Sequence, residues 1–136
     1  MSADKVALME MYFALNKPEY NVFTLSDKVA VFEGSGDALW HHYSGVIFFG
    51  YSKRSDASAS EELARITQAD VVELKLVSDE FYHLDTCLCL LNHKMALWYP
   101  PAFDAASQEY VDPFLSLPIN SPYCFQTFKR FRTRSD

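Results

Sequence analysis

The sequence predicts an α/β (α+β) fold of mixed sheets, with ββαβ units as its building block. Strand candidates come in pairs, and single helix candidates separate the pairs. The length of 136 residues, 49% of them hydrophobic and 15% aromatic, suits one packed core and is short for two.

Along the chain, Val6, Met9 and Phe13 recur at helical spacing over 3–15, and Pro18 marks the end of that helix. Residues 20–25 and 28–32 are rich in β-branched and aromatic side chains and read as two strands, followed by the glycine break Glu33-Gly34-Ser35-Gly36-Asp37. Residues 38–40 and 46–51 form the next pair. The Val46-Ile47-Phe48-Phe49 run is apolar on both faces, as a buried strand would be. Ser58-Ala59-Ser60-Glu61 fits a capping box and places a helix start near Asp56. From 71 to 77, Val72, Leu74 and Leu76 alternate with Glu73 and Lys75, the pattern of a strand buried on one side. Residues 84–91 and 94–99 read as a hairpin turning at Asn92-His93. Pro100-Pro101 ends it, and Asp104 is placed to cap a helix running to about Val111, before Pro113. The order is α, ββ, ββ, α, β, ββ, α, over a domain of residues 1–117. Residues 118–136 change character, with Pro118, Pro122 and the basic cluster Lys129, Arg130, Arg132 and Arg134, and read as a poorly ordered basic tail.

The formal net charge of −6 and pI near 5.1 argue against a general phosphate-binding surface, so nucleic acid is not the expected partner. An acidic balance instead suits a cationic ligand. No apolar run approaches the ~20 residues of a membrane helix, and the first residues lack the form of a signal peptide. Three cysteines, two of them one residue apart (Cys87 and Cys89), suit no disulfide framework. A cytoplasmic protein with reduced thiols, and with no cofactor, metal or membrane partner, is expected.

The densest chemical constellation is Phe81-Tyr82-His83-Leu84-Asp85-Thr86-Cys87-Leu88-Cys89. Read as an extended strand, it points His83, Asp85, Cys87 and Cys89 to one side, with His83 and Asp85 roughly 6–7 Å apart. A carboxylate can hold a planar guanidinium through paired hydrogen bonds while an imidazole moves protons at neutral pH. The same residues also read as a structural histidine beside a strand carboxylate. Glu33 and Asp37, in a glycine turn, could converge on a small ligand or be a solvated acidic turn. Arg54, in Ser52-Lys53-Arg54-Ser55-Asp56, could bind a carboxylate or flank a helix cap.

Taken together and in order, these segments resemble the dimethylarginine dimethylaminohydrolase-like and arginine deiminase branches of the guanidino-modifying (amidinotransferase) superfamily. Phe32-Glu33-Gly34-Ser35-Gly36-Asp37 looks like that family's acidic turn, and Gly50-Tyr51-Ser52-Lys53-Arg54-Ser55-Asp56 like its arginine loop. The His83-Leu84-Asp85 segment and Trp98-Tyr99-Pro100-Pro101-Ala102-Phe103-Asp104 complete the pattern, over about 28–110. The resemblance implies a pentein fold, an α/β propeller of five ββαβ-like units, of which this chain holds about two. It implies His83 as general acid/base, with Asp85, Glu33 and Asp37 holding the guanidinium of arginine or a methylarginine. It also implies Arg54 on the amino-acid end of the substrate, and citrulline as product.

The family nucleophile is a cysteine in a glycine-rich segment downstream of the histidine motif. Here no glycine follows Gly50, and Cys124 lies in Ser121-Pro122-Tyr123-Cys124-Phe125-Gln126, which has no such character. Cys87 reads as a packing residue. The chain is therefore expected to be part of a hydrolase, a truncated or mispredicted product diverging after about Leu117 and inactive alone, and to self-associate through uncovered edges. Two alternatives stand beside this. Zinc could bind His83, Cys87, Cys89 and His93, although an extended strand would spread the first three over roughly 20 Å. A non-catalytic interaction module could use the basic cluster with Phe128 and Phe131. His41-His42 would face opposite ways on a strand and needs no function.

Overall fold

A computed structural model describes residues 11–17, 19–42, 44–92 and 95–114, with backbone alone at 95 and 112–114. Residues 11–16 are helical and form the described part of α1; the rest of the expected first helix lies outside the described residues. The strands are β1 (Ala38–His41), β2 (Val46–Tyr51), β3 (Asp70–Lys75), β4 (Leu88–Asn92) and β5 (Met95–Trp98). The remaining helices are α2 (Ala59–Thr67) and α3 (Ala105–Phe114).

β1 pairs antiparallel with β2, and β2 pairs parallel with β3 across α2. This is one complete ββαβ unit in a three-stranded mixed sheet ordered β1-β2-β3. β4 and β5 form an antiparallel hairpin followed by α3, the opening ββα of a second unit. An antiparallel bridge from Leu76 to Phe103 ties the end of β3 to the turn before α3.

Alternation along β2 explains its double burial. Phe48 faces the main core with Leu39, Val72, Leu74, Leu84, Leu88, Trp98 and Phe103, whereas Phe49 and Tyr51 face α2 with Ala59, Leu63 and Val71. Both phenylalanines are at most 2% exposed, so each contributes roughly 1.5–3 kcal/mol of apolar burial. Gly50 leaves a hollow on the main-core face, and Leu84 fills it. A Cβ at Gly50 would stand 2.7 Å from Leu84 Cβ.

Four local expectations are corrected. Residues 20–25 and 28–32 are not strands but loop and turn. Residues 28–32 are held by Asp56 N–H donating to Val31 O and Ser58 Oγ donating to Lys28 O, while Val29 and Phe32 pack against the α2 face. The capping box does not form, because Ser58 already has helical dihedrals (φ −61°, ψ −17°) and its hydroxyl makes no cap hydrogen bond. Ser58 N–H donates instead to Asp56 Oδ1 at 2.9 Å, and the helix starts at Ala59. The hairpin begins at Leu88 rather than 84, since Leu84–Thr86 is a 3-10 turn. Finally, α3 continues through Pro113 to Phe114 instead of stopping near Val111. Its expected cap is present: Ser107 N–H donates to Asp104 Oδ1 at 2.9 Å. The proposed basic tail and Cys124 lie outside the described residues.

Candidate functional site

Three loops converge at one end of the mixed sheet, where β1 begins and β2 ends. The first enters β1 through the 3-10 turn Gly34–Gly36. Gly34 has φ +69°, a left-handed value that glycine takes without strain. The Asp37 N–H closes the turn on Gly34 O, and Asp37 O accepts from Gly50 N–H at 2.7 Å, anchoring the turn to β2. The second loop, Ser52 to Asp56, leaves β2 and is closed by Ser52 N–H on Ser55 O. The third brings His83 in on extended backbone and then turns at Leu84–Thr86.

Asp37 is the hub. Its carboxylate is 1% exposed, yet it is filled by donors: Ser55 Oγ at 2.6 Å, the Leu84 N–H at 3.1 Å and His83 Nδ1 at 3.2 Å. A buried carboxylate is tolerated when donors from the protein replace water in this way. The Ser55 hydroxyl also accepts from the Glu33 N–H at 3.0 Å, which fixes Glu33 relative to Asp37. The His83 ring lies over Gly36, where a Cβ would come within 3.3 Å of Nδ1.

With Nδ1 turned to Asp37, the other ring nitrogen meets Glu33. His83 Nε2 is 3.2 Å from Glu33 Oε2. Since Asp37 is an acceptor, Nδ1 carries a hydrogen, and the Nε2–Glu33 contact is a hydrogen bond when the pair holds one further proton. That shared proton is what an acid/base histidine needs. The other Glu33 oxygen is 3.3 Å from Arg54 NH1, and the Arg54 guanidinium lies 5.0 Å over the Tyr82 ring. Tyr82 and His83 rings are themselves 5.0 Å apart.

The structure thus brings Glu33, Asp37, Arg54 and His83 together, four of the five residues singled out in the sequence. Asp85 is not among them. It lies exposed in the 3-10 turn and makes no hydrogen bond or ion pair among the described residues. The extended-strand reading of 83–89, which set Asp85 beside His83, is corrected by this turn. Asp37 is 1% exposed and takes its three donors from the protein itself. Sequence reasoning missed Ser55 and Tyr82. Both lie inside quoted motifs, but the partners that give them a place in the site, Asp37 and Glu33 for Ser55 and Arg54 for Tyr82, lie far away in the chain.

Cys87 is buried, and burial first, then the Asp85 and Asp37 carboxylates, push its thiol from the ordinary 9.0 to about 12. Its sulfur is directed to His83 O and Leu84 O, which is a packing arrangement and not that of a nucleophile. Among the described residues, no group of three or more His, Cys, Asp or Glu side chains is placed to hold a metal ion; His93 lies outside them. No helix among the described residues is long and apolar enough to cross a membrane.

No family model matches the chain. It is 42% identical over 81 residues to the bifunctional arginine dihydrolase/ornithine cyclodeaminase ArgZ of Synechocystis sp., covering 60% of this chain and 12% of ArgZ. It is 43% identical over 77 residues to the N(G),N(G)-dimethylarginine dimethylaminohydrolase of Mycobacterium tuberculosis, covering 57% of this chain and 25% of that enzyme. The crystal structure of the N-terminal domain of ArgZ bound to product superposes with a TM-score of 0.70 at 35% identity, over 80% of this chain and 39% of that one. The chain is similar to part of these arginine-processing enzymes, and its fold is that of the pentein-fold domain it superposes on. It spans an eighth to a quarter of the length of these two curated relatives. Its complete ββαβ unit and following ββα agree with about two of the five pentein units.

Proposed function

We propose that the chain is the acid/base portion of a cysteine-dependent hydrolase acting on the guanidinium of arginine or a methylated arginine, with citrulline as product. The observation that carries this is His83 clamped between a buried carboxylate, Asp37, and a partly exposed one, Glu33. His83 is the general acid/base. Its Nε2 donates a proton to the departing amine and then takes one from the water that resolves the covalent intermediate. Glu33 holds the substrate guanidinium and exchanges a proton with Nε2. Arg54 binds the carboxylate end of the substrate.

Asp37 and Ser55 act as positioning residues. Asp37 fixes the His83 tautomer and ring plane, and Ser55 fixes Asp37 and Glu33 together. Asp85 keeps no contact role in this scheme. The attacking thiol comes from neither Cys87, which is inert, nor a recognisable glycine-rich segment of this sequence. The chain alone therefore binds substrate without turning it over, and residues 118–136 read as a divergent basic tail.

The test is to mix the purified chain with L-arginine and with asymmetric dimethylarginine, and to measure citrulline release alongside binding by calorimetry. Saturable binding that is lost in His83→Ala, without citrulline above background, is the expected result. Steady citrulline production would overturn the assignment of the thiol to another segment, and no binding of either compound would overturn the substrate class.

A further inference from the structure

Arg54, Tyr82, Glu33 and His83 form an arrangement that the acid/base scheme does not use as it stands. The Arg54 guanidinium carbon lies over the Tyr82 ring, with 5.0 Å from Cζ to centroid, and one of its terminal nitrogens is 3.3 Å from Glu33 Oε1. The second Glu33 oxygen is engaged by His83 Nε2, and the His83 ring borders Tyr82. An aromatic face below a planar cation and a carboxylate at its edge is the general chemistry of guanidinium recognition. The cradle is half open: Arg54 and Glu33 side chains are 48% and 31% exposed, and Tyr82 is 41% exposed.

From this we infer that the chain's own Arg54 occupies the guanidinium cradle of the site, and that a guanidino ligand enters by exchanging with it. Tyr82 is then a specificity-determining residue, supplying the face against which either guanidinium stacks. This rests on the reading of Glu33 and His83 as guanidinium-handling groups, and extends it to the step before chemistry. The energetics permit exchange. A solvent-exposed ion pair and a half-exposed cation–π contact are each modest, so displacing Arg54 costs an incoming guanidinium about three- to tenfold in affinity. A ligand that also carries a carboxylate offsets that cost by giving the released Arg54 a new partner, whereas a bare guanidinium does not. The site would thereby favour free arginine-like amino acids over guanidinium compounds lacking a carboxylate.

The experiment titrates methylguanidine and, separately, L-arginine into the wild-type chain and into Arg54→Ala, Tyr82→Ala and Tyr82→Phe, at constant ionic strength. The readout is the NMR shift of the His83 and residue-82 ring protons. Arg54→Ala should tighten methylguanidine about three- to tenfold while weakening L-arginine, which inverts or removes the preference for the amino acid. Tyr82→Ala should weaken both ligands, and Tyr82→Phe, which keeps the ring face, should restore both. Methylguanidine affinity unchanged or reduced by Arg54→Ala, with L-arginine still shifting His83, would overturn the exchange and leave the guanidino reading standing. Silence of His83 toward both ligands in every variant would overturn both.

Discussion

His83 Nδ1 and Asp37 Oδ1 lie 3.2 Å apart across 46 positions of sequence, in a pocket where the carboxylate is 1% exposed. The turn before β1 thereby holds a histidine delivered by the second unit of the fold. Because the same carboxylate receives the Leu84 N–H and the Ser55 hydroxyl, imidazole orientation and local folding depend on one side chain.

Replacing that side chain should cost both. Asp37→Ala leaves the Leu84 N–H and the Ser55 hydroxyl without their acceptor in a buried site, and should lower unfolding free energy by about 2–5 kcal/mol. Asp37→Asn keeps the volume but offers one acceptor oxygen instead of two. It should cost less, while changing the His83 tautomer seen by 15N NMR. A denaturant melt of both variants measures the first effect, and an unchanged melt in Asp37→Ala would count against the hub.

Gly50→Ala tests the seat of the third loop. The added Cβ would stand 2.7 Å from Leu84 Cβ, an atom too close to the backbone to swing aside, so a loss of about 1–3 kcal/mol is expected. Amide exchange over 81–87 should rise with it. Full stability in this variant would contradict the close approach of β2 and the 84–86 turn.

Cys87 should resist alkylation at pH 8 in the native chain, because burial and the nearby carboxylates hold its thiol at about 12. The exposed Cys89 should label. The same shift fixes the sign of a stability effect. The folded chain keeps this proton at pH values where the unfolded chain has released it, so stability should fall as pH rises from the ordinary 9.0 toward about 12. Mass spectrometry of iodoacetamide-treated protein checks the reactivity, and prompt labelling of Cys87 would refute the buried placement.

Asp104→Ala removes the cap of α3 and should destabilise by about 1 kcal/mol. Hydrogen bonds from Ser107 hold this carboxylate below its usual range, so its contribution is present above the ordinary carboxylate pKa and fades as pH falls through the lowered one. The difference in melting temperature between wild type and variant should therefore shrink toward strongly acidic pH.

How far the sequence could be read follows from the range of the forces involved. The doubly apolar Val46–Tyr51 run and the alternation through Val72 and Leu74 announced β2 and β3, because each pattern reports burial directly. Asp104 announced α3 because capping is local. The segment 83–89 reads as strand but turns at Leu84–Thr86, since its β-rich text is bent by two contacts from far along the chain: Asp37 accepting the Leu84 N–H, and the Gly50 hollow receiving Leu84. Residues 28–32 carry β-branched text too, but Lys28 and Val31 give their carbonyls to the Asp56–Ser58 turn instead of to a ladder, and residues 20–25 likewise pair with no strand. In the site, Glu33, Asp37, Arg54 and His83 were legible through their motifs. That Asp37 faces inward, that Asp85 faces away, and that Ser55 and Tyr82 belong to the site depend on tertiary placement that no single segment encodes.

The central claim is that Glu33 and His83 form one proton-sharing, guanidinium-binding pair. The most direct measurement is the His83 ring signal on addition of L-arginine, in wild type, Glu33→Gln and Asp85→Asn. A saturable shift in wild type and Asp85→Asn, lost in Glu33→Gln with the fold intact, is the predicted result. A shift that persists in Glu33→Gln, or one confined to residues elsewhere, such as the cleft of Ser26, Lys28 and Glu73 beside α2, would contradict it.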